Sequence, residues 1–378
     1  MEGADASARL PLALALEESG LDVILDSLPA AVRNPHNVRL ACGQSEGLGA
    51  LASSILRLFV YGDSVAISDL PSQISEGLTP LVKSGFCTTN LDGRFQLSNL
   101  TVTRVQGLWY FYQFPTPEMT LYFGDDTLSL INRLPSCVGA ALDLCSGPGA
   151  IGLTLAQRGA IVTAGEINPI ALELSTINAA MNGLSEVYRP RLGNLLDVVE
   201  PNELFDVVAW NPPLVPVPPN LSYPFVGDGG LDGMTVTWRV LSQVGDVLTD
   251  RGRAQTLGVT LASDGRMLAL HKLEEVARKQ KLSIHVTVTG RWTTKAAHPW
   301  CQMLARTILG ANGEMPSSAN CSALSEVLES SYSDAKANEV IYYYLRACHG
   351  KPTVRIVDFA PMPVNGLSGG WYAPLEGV

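Results

Sequence analysis

Three glycines followed by an acidic residue form the first group that could do chemistry. Gly147, Gly149 and Gly152 have G-x-G-x-x-G spacing, after a strand-like run and at the start of a helix-like one. Glycine lets the backbone turn sharply and approach a ligand closely, so the spacing predicts a nucleoside-binding loop. Glu166 ends the next strand-like run, 17 residues after Gly149, where a carboxylate can accept both hydroxyl groups of a ribose. Alone, these residues fit dinucleotides and other nucleosides equally well.

The second group lies at the end of the run FDVVAWNPP. Val207–Trp210 is typical of a buried strand, and Asn211 is followed by Pro212 and Pro213. Proline lacks a backbone N–H and keeps the preceding residue out of the helical conformation, so the strand stops and Asn211 is held extended. Open α/β sheets bind their ligands at the carboxyl ends of strands. The segment is therefore interpreted as the edge of an active site, the alternative being an ordinary loop.

The residues around the glycines resemble motif I of class I S-adenosylmethionine-dependent methyltransferases. The motif stands here as Asp143-Leu-Cys-Ser-Gly-Pro-Gly149, and the following stretch Ile161–Gly183 resembles HemK-like and related N-methyltransferases. A Rossmann dehydrogenase would use the same glycines and acidic residue. It would not explain Asn-Pro-Pro after the fourth strand, and the chain offers no obvious second mononucleotide-binding half. We therefore favour the methyltransferase.

The resemblance implies a binding site for S-adenosylmethionine. Leu121–Leu134 resembles the segment that closes over the methionine part of the cofactor, with Asp126 among its candidates, and Arg191–Asp197 resembles the segment that holds the adenine. The family usually has Gly-Asp where this chain has Gly193-Asn194, although the Asn194 amide oxygen can still accept from the adenine amine. The residues predicted to contact the cofactor are Phe123, Thr127, Asp143, Cys145, Gly147, Gly149, Glu166, Ile167, Asn194, Leu195 and Asn211.

The segment FDVVAWNPPLVP resembles the Asp/Asn-Pro-Pro-aromatic motif of methyltransferases that act on nitrogen in planar groups. Such a nitrogen is a poor nucleophile because its lone pair is delocalised. The resemblance implies that the side-chain oxygen of Asn211 and the carbonyl of Pro212 accept hydrogen bonds from it. Most of the gain would come from positioning and preorganised dipoles, and the proton can leave after the attack. Asn211 and Pro212 are accordingly the predicted catalytic residues.

The residue after Asn-Pro-Pro departs from the family pattern. The family commonly has Tyr or Phe there, which stacks on a flat substrate, whereas this chain has Leu214. The run Phe225–Met234 resembles the glycine-rich loop that follows the motif in HemK-like enzymes. Its two aspartates are either turn residues or carboxylates that receive a cationic substrate. The predicted substrate-binding residues are Leu214, Tyr223, Asp228, Asp232 and Trp238.

Composition narrows the classes of partner. The 378 residues carry a formal charge of −10, which disfavours the phosphate backbone of nucleic acids as a partner. Seven cysteines without C-x-x-C pairs and five histidines without ligand spacing predict neither a disulfide framework nor a metal site. A reducing cytoplasm fits this cysteine usage. No apolar stretch reaches transmembrane length, so no membrane partner is expected.

Residues 1–107 are predicted to form a separate, mostly helical domain. Helical spacing covers Leu10–Leu28 and Glu46–Val60, and a helix over Ile74–Lys83 precedes a hairpin around Asn90–Gly93, in the order of a winged helix. The segment Ser72–Gly85 holds one lysine and one glutamate, which disfavours DNA reading. We therefore expect a structural, substrate-covering or dimerising role. Residues 108–120 are an aromatic linker, predicted as either a core strand or a pocket wall.

Residues 121–378 are predicted to form the methyltransferase domain. Alternating strands and helices indicate an α/β fold with a Rossmann-like, seven-stranded, mainly parallel sheet. An insertion at about 292–337 interrupts the alternation. The strand candidates are Ala140–Cys145, Ala160–Glu166, Val187–Gly193, Phe205–Trp210, Arg253–Thr260, Ser283–Arg291 and Val340–Ala347. The helix candidates are Ile151–Arg158, Pro169–Met181, Thr235–Leu248 and Asp264–Lys279.

Together these features predict a cytoplasmic S-adenosylmethionine-dependent N-methyltransferase, with a homodimer allowed by the N-terminal domain. The weak basic character and Leu214 favour a small metabolite, amino acid or peptide as substrate, in specialised biosynthesis. Methylation of protein glutamine and of RNA bases are the alternatives within the enzyme class. The non-enzyme alternative is a winged-helix regulator with a ligand-sensing methyltransferase-like domain, against which Asn211 argues because a sensor could lose it freely.

Overall fold

The computed structural model describes residues 10–27, 49–114, 116, 119–136 and 139–360. The chain divides into two compact units. The first comprises Met1–Pro115, Leu121–Gly139 and Ser146–Asn194, and the second comprises Thr116–Thr120, Ala140–Cys145 and Leu195–Val378. The first unit therefore takes in residues from both predicted domains, and the boundaries at 107 and 120 stay a prediction.

The first unit begins with two short helices, α1 (Pro11–Glu18) and α2 (Leu21–Ser27). Proline fits the first turn of α1, where its missing N–H would have no partner in any case. Gly20 has a φ of 79°, a left-handed conformation that ends α1. The predicted helix Leu10–Leu28 is thus interrupted, and its last residue lies outside the described part of the chain. The buried face of α1 consists of Leu12, Ala13, Ala15 and Leu16.

The helix predicted over Glu46–Val60 is present as α3 (Ala50–Leu56), which continues as a π turn over Arg57–Tyr61. Residues 46–48 of that prediction lie outside the described ranges. The next elements are β1 (Val65–Ala66), α4 (Ser72–Gly77), α5 (Thr79–Lys83), β2 (Cys87–Thr89) and β3 (Arg94–Leu97). The predicted helix Ile74–Lys83 is therefore two helices that meet at Leu78.

Strand β3 pairs antiparallel with both β1 and β2. The turn between β2 and β3 lies at the predicted position. The side-chain oxygen of Asn90 accepts from the backbone N–H of Asp92 at 3.1 Å and of Arg94 at 3.0 Å, and Gly93 has a φ of 67°. The helix–helix–hairpin order expected of a winged helix is present.

The aromatic segment forms strand β5 (Leu108–Gln113), which pairs antiparallel with β4 (Leu100–Val105). Trp109, Tyr110 and Phe111 are all fully buried. The segment is thus a core strand over these residues. Pro115, Pro117 and Glu118 of the predicted linker lie outside the described residues.

Nine strands and seven α-helices follow within the described residues, beginning with a helix. The helices are α6 (Asp125–Ile131), α7 (Ala150–Gln157), α8 (Pro169–Met181), α9 (Thr235–Leu241), α10 (Leu270–Gln280), α11 (Pro299–Ala311) and α12 (Ser318–Asp334), and the first three belong to the first unit. The strands are β6 (Gly139–Leu144), β7 (Ala160–Glu166), β8 (Tyr188–Leu192), β9 (Phe205–Trp210), β10 (Leu248–Ser263), β11 (Arg266–Met267), β12 (Leu282–Thr293), β13 (Glu339–His349) and β14 (Thr353–Asp358).

The predicted fold class, mixed α/β with a large and mainly parallel sheet, is confirmed. The prediction of seven strands was too low, since β11 and β14 add to the seven predicted ones. In the second unit the strand order is β14-β12-β13-β10-β9-β6, and β13 pairs antiparallel with both neighbours. In the first unit β7 and β8 pair in parallel. Strand β10 is buried without interruption over 254–262, as expected of a central strand.

Two predicted helices of the second unit are shorter than expected. The helix predicted over Asp264–Lys279 begins only at Leu270, because Asp264 and Gly265 take φ values of 47° and 78° in the tight turn between β10 and β11. The helix predicted over Thr235–Leu248 ends at Leu241. The insertion holds α11 and α12, and α12 begins with a capping box of Ser317 and Asn320.

Candidate active site

In the first unit, Glu166 holds the glycine-rich loop Ser146–Gly149 through backbone hydrogen bonds. One carboxylate oxygen accepts the backbone N–H of Gly147 at 2.8 Å. The other accepts the N–H groups of Ile167 and Asn168, each at 2.8 Å. A carboxylate has about four acceptor positions, so three amide bonds leave it capacity for a further hydroxyl. The sequence predicted Glu166 as a ribose acceptor and missed its role in holding the loop.

The two loop glycines differ in what they permit. Gly147 has a φ of 50°, and a Cβ there would find its nearest neighbour at 3.7 Å, so its backbone is accessible. Gly149 has a φ of 91°, and a Cβ there would lie 2.7 Å from the Tyr188 hydroxyl and 3.1 Å from the Ser175 Cβ. Gly147 thus leaves room for a ligand, while Gly149 lets α7 begin against packed side chains.

The other predicted cofactor residues of the first unit differ in how far they are exposed. Phe123 is buried between Tyr110 and Tyr112, with ring centroids 5.6 and 5.5 Å away. Thr127 is also buried, and its N–H donates to Asp126 at 2.7 Å. Ile167, by contrast, exposes half of its surface directly after β7, and Asn194 is partly exposed. Ile167 and Asn194 therefore remain open to a ligand, whereas Phe123 packs in the core.

Two carboxylates at the start of α6 lie close together. Asp126 is buried and accepts the Tyr122 hydroxyl at 2.9 Å. Burial, with a smaller contribution from the Asp126 charge, raises the pKa of Asp125 from 3.8 to about 6. A helix N-terminus favours negative charge, so here burial outweighs the helix dipole.

In the second unit, β6 and β9 end at the same level. Their parallel register pairs Asp143 with Ala209 and Leu144 with Trp210. Cys145, with a φ of 55°, and Asn211 are thus the next residues out of two neighbouring strands. Two of the predicted cofactor residues, Asp143 and Cys145, are therefore brought beside Asn211.

The backbone before Asn211 is held firmly. The Thr256 hydroxyl on β10 donates to the Trp210 carbonyl at 2.7 Å. Trp210 itself is completely buried, and the Asn211 side-chain oxygen is buried as well. Asn211 therefore follows a strand end that is held in place. Leu195, the remaining predicted cofactor residue of this unit, has a φ of 55°.

The Asn-Pro-Pro segment folds against the glycine-rich loop downstream. Val215 donates to the Gly227 carbonyl at 2.8 Å, and its own carbonyl accepts from Gly229 at 2.9 Å. Gly233 has a φ of 71°, and a Cβ there would lie 2.8 Å from the Leu214 carbonyl. Gly233 therefore allows a close approach to the residue that follows Asn-Pro-Pro. Leu214 is only 7% exposed, so its side chain belongs to the interior.

The two predicted substrate carboxylates are engaged to different degrees. Asp232 accepts the N–H of Met234 at 2.9 Å with one oxygen and the Trp238 indole N–H at 2.7 Å with the other. Lys272 lies 4.3 Å from the centroid of the Trp238 ring. Asp228 accepts the N–H of Gly230 at 2.9 Å and is exposed. Asp232 and Trp238 thus hold one another, and Asp228 is the freer carboxylate.

One tyrosine of the insertion contacts the chain just after Asn-Pro-Pro. The Tyr332 hydroxyl on α12 donates to the Pro216 carbonyl at 2.6 Å, in a buried position. No local sequence pattern indicates Tyr332, because 116 residues separate it from Pro216. Tyr223, predicted as a substrate residue, is partly buried, and burial raises its pKa to about 12.

Across the ranges that the structure describes, no group of three or more His, Cys, Asp or Glu side chains could hold a metal ion. Within the same ranges, none of the helices combines the length and apolar character needed to span a bilayer.

Residues 124–220 match the methyltransferase small domain family. This match confirms the predicted resemblance to S-adenosylmethionine-dependent methyltransferases. The matched segment covers the glycine-rich loop, Glu166 and Asn-Pro-Pro. The match also supports S-adenosylmethionine as the cofactor.

Two relatives with curated names are glutamine methyltransferases. The ribosomal protein uL3 glutamine methyltransferase of Bradyrhizobium diazoefficiens is 32% identical over 143 residues, which are 35% of this chain and 44% of the relative. The release factor glutamine methyltransferase of Koribacter versatilis is 40% identical over 76 residues, 20% of this chain and 26% of the relative. The chain thus spans less than half of each relative.

Among solved structures, M. jannaschii TYW2 in complex with AdoMet aligns over 67% of this chain and 89% of its own, at 14% identity and a TM-score of 0.39. A likeness of that size adds nothing to the assignment of function.

Proposed function

We propose that the protein is an S-adenosylmethionine-dependent methyltransferase that transfers a methyl group to the side-chain amide nitrogen of glutamine in a protein or peptide. The observation that carries the proposal is the position of Asn211. It leaves the rigid end of β9 at the level where β6 ends, beside Asp143 and Cys145. The match of residues 124–220 to a methyltransferase family supports the same reaction class.

The residues around the glycine-rich loop fit the cofactor. Gly147 offers an accessible backbone, and Glu166 keeps acceptor capacity beyond its three amide bonds. Glu166 would hold the ribose hydroxyls, and Ile167 and Asn194 would contact the adenine. When bound, S-adenosylmethionine supplies an electrophilic methyl group on its sulfonium.

The chain's own contribution to the reaction is to orient the amide nitrogen. The Asn211 side-chain oxygen and the Pro212 carbonyl accept the two hydrogens of the substrate amide, which holds its lone pair toward the methyl group. Methyl transfer would form the carbon–nitrogen bond as the carbon–sulfur bond of the sulfonium breaks, and the nitrogen would then release a proton to water. Because the Trp210 carbonyl is already held by Thr256, Asn211 would need little reorganisation.

The proposed substrate class is supported by the relatives and by the positions of two residues after Asn-Pro-Pro, Leu214 and Asp232. The relatives are glutamine methyltransferases, which favours the glutamine alternative over a small metabolite. The interior position of Leu214 supports a narrow amide over a stacked aromatic base. The engagement of Asp232 with Trp238 and Met234 disfavours a carboxylate pair that would receive a cationic amine.

The test is methyl transfer from labelled S-adenosylmethionine to peptides. Glutamine-containing peptides from ribosomal protein uL3 and from release factors serve as substrates, with glutamate in place of glutamine as the matched control. Label on the glutamine amide alone, located by mass spectrometry, is the expected result. Label confined to the metabolite or RNA fraction of a cell extract would refute the glutamine assignment. Absence of label in every fraction would favour the ligand-sensing alternative.

A further inference from the structure

Two asparagines on α8 bind the free edge of strand β5, and all of these residues belong to the first unit. Asn178 and Asn182 are both buried. They are four residues apart, so they share one face of the helix at a spacing of about 6 Å. Alternate residues of a strand are about 6.6 Å apart. The two carboxamides therefore match every second residue of β5.

Each asparagine side chain makes the two backbone hydrogen bonds that a residue of a neighbouring strand would make. Asn182 accepts from the Trp109 N–H and donates to the Trp109 carbonyl, both at 2.8 Å. Asn178 accepts from the Phe111 N–H at 2.8 Å and donates to the Phe111 carbonyl at 3.0 Å. Backbone groups of a buried strand must be paired, so these bonds fix β5 to α8.

Only Asn178 reaches further, into the glycine-rich loop. Its amide also donates to the carbonyl of Pro148 at 2.9 Å. Pro148 lies between Gly147 and Gly149, the two loop residues with left-handed backbone conformations. The remaining bond of Asn182 goes instead to the Asn178 carbonyl of its own helix, at 2.8 Å.

We propose that Asn178 is a positioning residue for cofactor binding, which holds the Pro148 carbonyl and thereby the accessible backbone of Gly147. This inference rests on the proposed function, because it assigns the loop to S-adenosylmethionine. It also gives strand β5, which lies outside the matched family segment, a part in cofactor affinity. The carboxamide of Asn178 thus connects strand β5 to the glycine-rich loop.

The experiment compares two matched variants of the full chain, Asn178→Leu and Asn182→Leu. Both remove a carboxamide that pairs with β5, and only the first removes the bond to Pro148. Binding of S-adenosylhomocysteine is measured by isothermal titration calorimetry, and thermal unfolding without ligand is measured beside it. We expect both variants to unfold at lower temperature. Only Asn178→Leu should raise the Kd, by roughly tenfold for one lost buried hydrogen bond.

A second variant covers the case in which Asn178→Leu does not fold. Asn178→Asp keeps the shape and the acceptor for the Phe111 N–H, but as a carboxylate it donates neither to Pro148 nor to the Phe111 carbonyl. It should raise the KM for S-adenosylmethionine while leaving kcat near that of the wild type. An equal change of Kd in the Asn178 and Asn182 variants, or none in either, overturns the inference alone. Failure of the wild type to bind S-adenosylhomocysteine overturns the proposed cofactor and the inference together.

Discussion

The loop after β6 and the loop after β9 differ in what holds them. The first, over Ser146–Gly149, is fixed by Glu166 and Asn178, which lie 19 and 30 residues from their partners. The second, over Asn211–Val217, is rich in proline and therefore poor in N–H donors. Its carbonyls instead accept bonds from distant residues, such as Tyr332, 116 residues away. The proposed cofactor loop, Ser146–Gly149, thus has supports nearer in the chain than the proposed substrate loop, Asn211–Val217.

The largest expected effect separates chemistry from cofactor binding. Asn211→Ala should keep the affinity for S-adenosylhomocysteine and lower turnover by about 10²- to 10³-fold, the usual loss for one preorganised dipole. Methyl transfer and calorimetry measure the two quantities. Asn312→Ala, an exposed asparagine that ends α11, is the control and should leave both unchanged. Turnover equal to the wild type would remove Asn211 from the chemistry.

The next effect tests the support of the cofactor loop. Glu166→Ala removes three amide bonds as well as the predicted ribose acceptor, so we expect the Kd for S-adenosylhomocysteine to rise by about 100-fold. Glu173→Ala, on the exposed face of α8, removes a carboxylate from the same unit without touching the loop and should have no such effect. Undiminished binding by the Glu166 variant would contradict the cofactor assignment.

A smaller effect tests the distant support of the substrate loop. Tyr332→Phe removes the bond to the Pro216 carbonyl, which costs about 1 kcal/mol. We expect a several-fold rise in the KM for the peptide and an unchanged Kd for S-adenosylhomocysteine. Tyr344→Phe is the matched control, since its hydroxyl donates to Gln255 at 3.1 Å instead. Equal KM values in the two variants would show that the insertion does not act on the substrate loop.

The last effect is on stability alone, not on binding or turnover, and concerns ionisation in the first unit. The pKa of Asp125 is raised from 3.8 to about 6, so the folded protein binds its proton more tightly than the unfolded chain. Its contribution to stability is therefore present below pH 4 and is lost as the pH rises to about 6, by about 3 kcal/mol at most. Asp125→Asn should make the urea midpoint of unfolding less dependent on pH across this range. A slope as steep as that of the wild type would assign the linkage to another group.

Much of the fold followed from local pattern. The seven predicted strands are present because buried runs of apolar residues between turn residues have few alternatives. The incorrectly predicted helix boundaries lie where the backbone conformation of one or two residues turns the chain. Asp264 and Gly265 turn the chain where apolar spacing predicted a helix, and Gly20 divides a helix predicted as continuous. The role of the site residues in binding and catalysis stays a prediction.

The sequence by itself determined the fold class, the glycine-rich loop with Glu166 and the strand end at Asn211, because each depends on residues close together in the chain. Only the tertiary structure decided which of the candidate side chains are already engaged. It paired Asp232 with Trp238, placed Leu214 in the interior and brought Tyr332 to Pro216. These contacts join residues from different elements, and hydrogen-bond partners across such distances are set by packing, which no local pattern encodes.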